Sequence, residues 1–245
     1  MTKLLFFAVV QVLLLLPVFS FAQEPAGVKG QVAIIVHPVF NGQLLKLNEQ
    51  VYVNEHGDTL SVDMFRFYIS RLRLGKALSK TALTLKDFHH LVDAENIATC
   101  SFTISIPEGD YDELSFVLGV DSIANTSGAN DGDLDPIKGM YWAWNTGYIM
   151  AKIEGRSKVC HTLHNAYEFH IGGYLPPNNA VRQVALRLPR ILVVRNDGPP
   201  ATIHIKADVA AWFKGIDLAK TNNIVIPGKG AMEMADRYMG MFSLE

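Results

Sequence analysis

Apolar and polar residues alternate with a period of two through much of this chain, and that rhythm limits what it can fold into. Ser101–Ile106 places Phe102, Ile104 and Ile106 on one side, and Thr202–Val209 does the same with Ile203, Ile205, Ala207 and Val209. Successive side chains of a strand point to opposite faces, whereas a helix would need a period near 3.6. Further runs of this kind are Gln31–His37, Phe65–Leu74, Leu114–Val120, Tyr148–Glu154, Ala166–Ile171 and Val181–Val194. Turn-forming residues separate them: Asn41-Gly42, His56-Gly57-Asp58, Pro107-Glu108-Gly109-Asp110 and Asn196-Asp197-Gly198-Pro199-Pro200. The pattern predicts an all-β chain, an antiparallel β-sandwich with few short helices. Helical signal is confined to Ala210–Lys220 and Ala231–Tyr238, so we expect less than about a fifth of the residues in helix, against ~30–35% in an average domain.

Residues Met1–Ala22 read as a cleavable secretory signal peptide. Lys3 precedes an apolar run, Leu4–Val18, and the small residues Ser20 and Ala22 precede Gln23. Cleavage is expected after Ala22, which leaves residues 23–245 as one domain, periplasmic or secreted. The apolar run is too short for a membrane anchor, so no span is expected in the mature chain. A formal net charge of −2 without a basic stripe argues against a nucleic-acid partner. The cysteines Cys100 and Cys160 allow a single pairing in an oxidising compartment, and spacing alone leaves that disulfide open. The chain carries none of the nucleophile-elbow, zincin, Walker or dinucleotide fingerprints. A binding protein, not an enzyme, is the expectation.

Chemistry concentrates in two stretches, GMYWAWNTGYI (Gly139–Ile149) and FHIGGY (Phe169–Tyr174). If the first is a strand, Met140, Trp142 and Trp144 share a face; the second sets His170 before a Gly-Gly turn. Thioether and imidazole donors both suit copper. Upstream, a long strand-poor stretch between Val120 and Gly139 carries Asp121, Asp131, Asp133 and Asp135. Those carboxylates could form a calcium-binding loop, or a solvated turn closed by Asx hydrogen bonds. The same residues admit another reading: a carbohydrate-binding module with Trp142, Trp144 and Tyr148 as a stacking platform beside that loop. Cys160, His161 and His164 form a C-H-x-x-H string in an expected loop. Met232, Met234, Met239 and Met241 could be soft ligands but their spacing favours packing. His204 falls on the polar side of its strand, and His89 and His90 are neighbours of opposite orientation.

The string GVDSIANTSGANDGDLDPIKGMYWAWNTGYIMAKIEG, followed by FHIGGY and preceded by FRFYISRLRL (Phe65–Leu74), resembles the MbnP-like copper-binding family. That family is related to the MopE and CorA proteins of methanotrophs, and the version here is similar to its Bacteroidetes-type branch. The resemblance runs from about Val32 to the C-terminal MFSLE. It implies a secreted β-sandwich holding copper, as Cu(I), through histidines. In some members a tryptophan oxidised to kynurenine stands beside the metal, a change ascribed to a di-haem, peroxidase-like partner, MbnH. Carried over, the histidine before the glycine turn is His170, and the tryptophan pair is Trp142 and Trp144. The chain departs from the methanotroph pattern at Asn125-Thr126, where that pattern has a histidine, and lacks its cysteines after the glycine turn. A second metal ligand is therefore expected elsewhere, with His37 first, and Met140 and His90 behind it. Two ligands of one ion put the His37 and His170 nitrogens within ~5 Å of each other.

Overall fold

The computed structural model describes residues 28–76, 81–144 and 147–245. The leader expected over Met1–Ala22, with its cleavage point, lies outside them. Of the described residues, 51% are in strands and 17% in helices. The longer strands are β1 (Lys29–Phe40), β2 (Thr59–Lys76), β3 (His89–Asp93), β4 (Ser101–Pro107), β5 (Gly109–Leu118), β6 (Gly147–Arg156), β7 (Ala166–Gly172), β8 (Arg182–Val194), β9 (Ala201–Asp208) and the short β10 (Phe242–Leu244).

In the smaller sheet β1 lies between β4 and β9, and β10 adds to the far side of β9. The β1–β4 and β9–β10 pairs are antiparallel, but β1 and β9 run parallel, from Val32↔Ala201 to Val39↔Asp208. The sheet is thus mixed where the alternation predicted antiparallel neighbours. Alternation fixes which residues face inward and is silent on the direction of the partner strand.

The larger sheet runs β8, β5, β2, β6, β7, each pair antiparallel. β2 is its spine: Phe67 pairs with Val92 of β3 on one side and Ala151 of β6 on the other. The β2–β5 ladder slips between Ser70 and Arg73, where Arg71 takes a positive φ of 47°. A second break lies in β8, where register jumps between Arg187 and Leu192.

The inward faces of both sheets feed one apolar cluster. β1 contributes Val32, Ile34 and Val36, β9 contributes Ile203 and Ile205, and the larger sheet contributes Phe65, Phe67, Phe169 and Ile171, all buried. Phe242 of β10 bridges the layers, its ring 5.5 Å from Phe67 and 5.0 Å from Phe116. Trp212 is fully buried, edge-on to Phe65 at 6.3 Å and 5.0 Å from Tyr238. A buried aromatic of this size removes some 150–250 Å² from water, so these rings dominate the stabilisation of the sandwich.

Helix is short, as expected. Lys229–Tyr238 is a true helix, burying Ala231, Met234, Ala235 and Tyr238 on one side. The segment read as helical over Ala210–Lys220 is only a 3-10 turn, Val209–Phe213, which Asp208 begins by accepting a hydrogen bond from Ala210 N. The strand-poor stretch before Gly139 contains a single turn of α-helix, Ser122–Thr126, capped by Asp121, and two 3-10 turns. Among the described residues no helix is long and apolar enough to cross a membrane.

Candidate metal centre

On β7, Tyr167, Phe169 and Ile171 point into the core and His170 points outward. Its register partner is Lys152 of β6, and Glu154 follows two residues later on that face. His170 Nε2 lies 2.7 Å from Glu154 Oε1, and Lys152 Nζ reaches the same oxygen at 3.0 Å. The His170 hydrogen bond leads in holding the Glu154 carboxyl down at about 2; burial opposes it and Lys152 assists. Among the described residues no hydrogen bond engages His170 Nδ1. An imidazole steadied through one nitrogen by a carboxylate presents its other nitrogen to a metal, a common arrangement around ligating histidines.

The tryptophan string folds beside this group. Tyr141–Trp142 pairs with Gly147–Tyr148 at the start of β6, and a turn follows Trp142. The Trp142 indole reaches across to β7: a Cβ on Gly172 would stand 2.5 Å from its Cζ3. Gly172 is two residues beyond His170 and on the same face of β7. Only glycine leaves room for the indole there, which places Trp142 over β7 two residues along the strand from His170. Gly173 serves a different purpose, taking a φ of 108° with its missing Cβ against the Asn178 carbonyl. Trp144 leans on Trp142 at 5.5 Å between centroids and is 64% exposed, whereas Trp142 is 7% exposed. Met140 is wholly buried, its carbonyl accepting from Ile149 N at 2.9 Å. A shallow pocket of about 270 Å³ opens next to Trp142, lined also by Tyr174, Pro176 and Pro227.

His37 is not part of this group. It points outward from β1 in the smaller sheet, and His170 points outward from the larger one. Sheets of a sandwich pack ~10 Å apart, so groups on opposite outer faces are separated by the whole core. His37 instead meets His204, Nε2 to Nδ1 at 2.9 Å, with Glu245 nearby. The expected His37–His170 pair is therefore not brought together. Alternation correctly turned both imidazoles outward but could not say onto which sheet. His90 is likewise occupied, with Nδ1 3.0 Å from Asp133 Oδ2, Nε2 2.7 Å from the Thr99 carbonyl, and its ring on Phe102.

The aspartates of the loop serve separate ends. Asp121 accepts from Ile123 N and Ala124 N and meets His89 at 3.2 Å. Burial pushes the Asp133 carboxyl up, but His90, Lys138 and the Leu91 N–H together hold it well below the usual range. Asp135 accepts from Ile137 N, and Asp131 begins a 3-10 turn without a side-chain cap bond. No three acidic or histidine ligands converge there among the described residues. Asn125, at the place of the methanotroph histidine, is 2% exposed; its amide donates to the Val120 and Asp121 carbonyls and its oxygen accepts from Tyr148 N.

Tyr148 is fully buried, donating its hydroxyl to the Leu134 carbonyl, so it cannot join an exposed stacking platform. Cys100 and Cys160 are both buried free thiols, and burial pushes Cys100 up to about 11. His161 and His164 are exposed and form no ligand cluster with Cys160 among the described residues. Of the C-terminal methionines Met234 and Met241 are buried, Met232 is half-buried and Met239 is exposed; Met241 Sδ accepts from Trp212 Nε1 at 3.4 Å.

No curated protein matches this sequence at a significant level. Among solved structures, MbnP from Methylosinus trichosporium superposes with a TM-score of 0.54 at 16% identity, covering 78% of this chain and 80% of that one. At that identity the likeness establishes the fold, an all-β sandwich. The MbnP family profile matches residues 29–227, most of the chain's length, and the chain belongs to the MbnP family.

Proposed function

We propose that this chain is a copper-binding protein of the periplasm or the extracellular space, acting in copper acquisition, storage or delivery and not as an enzyme. Family membership supports the copper reading. The observation that carries it to particular residues is the His170–Glu154 hydrogen bond, with the Trp142 indole lying over Gly172 two residues along the same strand.

The residues present fit copper in part. His170 would hold the metal through Nδ1, with Glu154 fixing the ring; Met140 is too deeply buried to reach it without rearrangement. One imidazole makes a weak, exchangeable site. Oxidation of Trp142 to kynurenine would supply a second donor. In that reaction the indole C2–C3 bond is cleaved by two equivalents of peroxide, each delivering one oxygen atom, one to C2 and one to C3, and each leaving as one water. Addition of a further water then hydrolyses the formamide and releases C2 as formate. The aryl amine and ketone that remain are polar groups over Gly172, on the strand that carries His170. A di-haem, MbnH-like peroxidase is the partner this chemistry asks for.

The test is a Cu(I) competition titration of the chain before and after treatment with such a partner and peroxide, with peptide mass spectrometry of the Trp142 and Trp144 segment. We expect weak binding that His170→Ala abolishes, and tighter binding once Trp142 is converted. Binding unaffected by His170→Ala would reject the site. Intact tryptophans after treatment would reject the kynurenine step alone.

A further inference from the structure

The smaller sheet carries a group of ligand-type side chains that the copper reading leaves unused. His37 on β1, His204 on β9 and Glu245, just beyond β10, stand on three adjacent segments of its outer face. Their ligand atoms all lie within 4.8 Å of one another. His37 Nε2 is 2.9 Å from His204 Nδ1 and 3.9 Å from Glu245 Oε2. The imidazole planes are nearly parallel, 12° apart with centroids at 5.3 Å, and the two nitrogens face each other through that hydrogen bond; an ion would replace the shared proton, each ring turning to aim its nitrogen at the metal.

We propose that His37, His204 and Glu245 form a second metal site, for a divalent first-row ion such as Zn2+ or Cu2+. Bonds of ~2.0–2.1 Å to a tetrahedral ion separate its ligand atoms by ~3.3 Å, which falls between the distances found here. Two neutral nitrogens and a carboxylate oxygen form a borderline-to-hard donor set, suited to divalent zinc or copper and poorly suited to Cu(I). Backbone geometry holds the carboxylate in place: Glu245 N donates to the His204 carbonyl at 3.2 Å. Lys206 Nζ lies 3.5 Å from Glu245 Oε1, and the ion would take the other oxygen. His37 and Glu245 are 32% and 41% exposed, so an ion keeps access to water. A groove of about 530 Å³ borders His204 and Glu245, with Arg190, Ile191 and Leu244 on its walls, and leaves room at a fourth coordination position. The site stands on the opposite outer face from His170, so its occupancy is independent of the copper site.

Isothermal titration of the full chain with Zn2+ alone, and separately with Cu2+ alone, tests this. The wild type should take up one Zn2+, with affinity reduced about tenfold or more in His37→Asn and His204→Asn and measurably in Glu245→Gln. His170→Ala should bind Zn2+ as the wild type does. Circular dichroism establishes that each variant is folded; if a histidine variant is not, the exposed Glu245→Gln carries the comparison. No Zn2+ or Cu2+ uptake by the wild type, uptake retained by both histidine variants, or uptake lost with His170→Ala would each overturn the proposal.

Discussion

Gly172 and Trp142 illustrate what single residues contribute. The sequence showed a Gly-Gly pair after His170 and read it as a turn. Only Gly173 is there for its backbone; Gly172 is there because an indole from 30 residues earlier lies on it. That contact crosses strands, and no local pattern encodes it. Gly172→Ala should push the indole away, lowering stability by roughly 1–3 kcal/mol and shifting tryptophan fluorescence, measured by urea unfolding. The Glu154–His170 bond has a pH signature. The folded Glu154 carboxyl is depressed from 4.5 to about 2. Its contribution is therefore complete above the unfolded value and lost as pH falls from about 5 through about 2. Glu154→Gln should cost roughly 1–2 kcal/mol at pH 7 and little at pH 2, flattening the acid limb of stability against pH. An unchanged acid limb would show that the carboxylate is not engaged.

The loop between β5 and β6 raises the question of elements. Its four aspartates suggested calcium, yet they cap turns and pair with His89, His90 and Lys138. Charge density was legible in the sequence; the division of labour was not, because His89 and His90 come from a distant strand while Lys138 and the turn N–H groups are local. Millimolar Ca2+ should leave the melting temperature unchanged in a scanning fluorimetry experiment. Asn125 ties the single helical turn back to the Val120 and Asp121 carbonyls through two hydrogen bonds and to the start of β6 through a third, from Tyr148 N. Asn125→Ala would leave the Val120 carbonyl and the Tyr148 N–H without these partners, at about 2–3 kcal/mol, while the Asp121 carbonyl keeps its bond from the backbone N–H of residue 125. Hydrogen exchange should then quicken first in Ser122–Thr126 and Gly147–Tyr148, and uniform protection would contradict this.

For the whole molecule, the sandwich and its scarcity of helix were readable because most long strands alternate between core and outer face, although Phe67–Ser70 of β2 and Gly147–Ala151 of β6 are buried on both. The assignment of strands to sheets was not readable, and the His37–His170 pairing depended on it. The same limit concealed the parallel β1–β9 pair, since strand direction leaves no trace in alternation.

That parallel pair has a consequence for assembly in time. β1 and β9 meet at Val32↔Ala201, so nearly the whole intervening chain must be available before the ladder can close. β1 can first dock on β4, some seventy positions downstream at Ile35↔Ser101, leaving its other edge without a neighbour meanwhile. Closing so long a loop delays reward until late, which slows folding and exposes an apolar edge. A chain emerging N-terminus first from a narrow exit would carry β1 half-dressed until about its final fifth arrived. The smaller sheet, with the His37–His204–Glu245 group upon it, is thus the last surface of this protein to come into being.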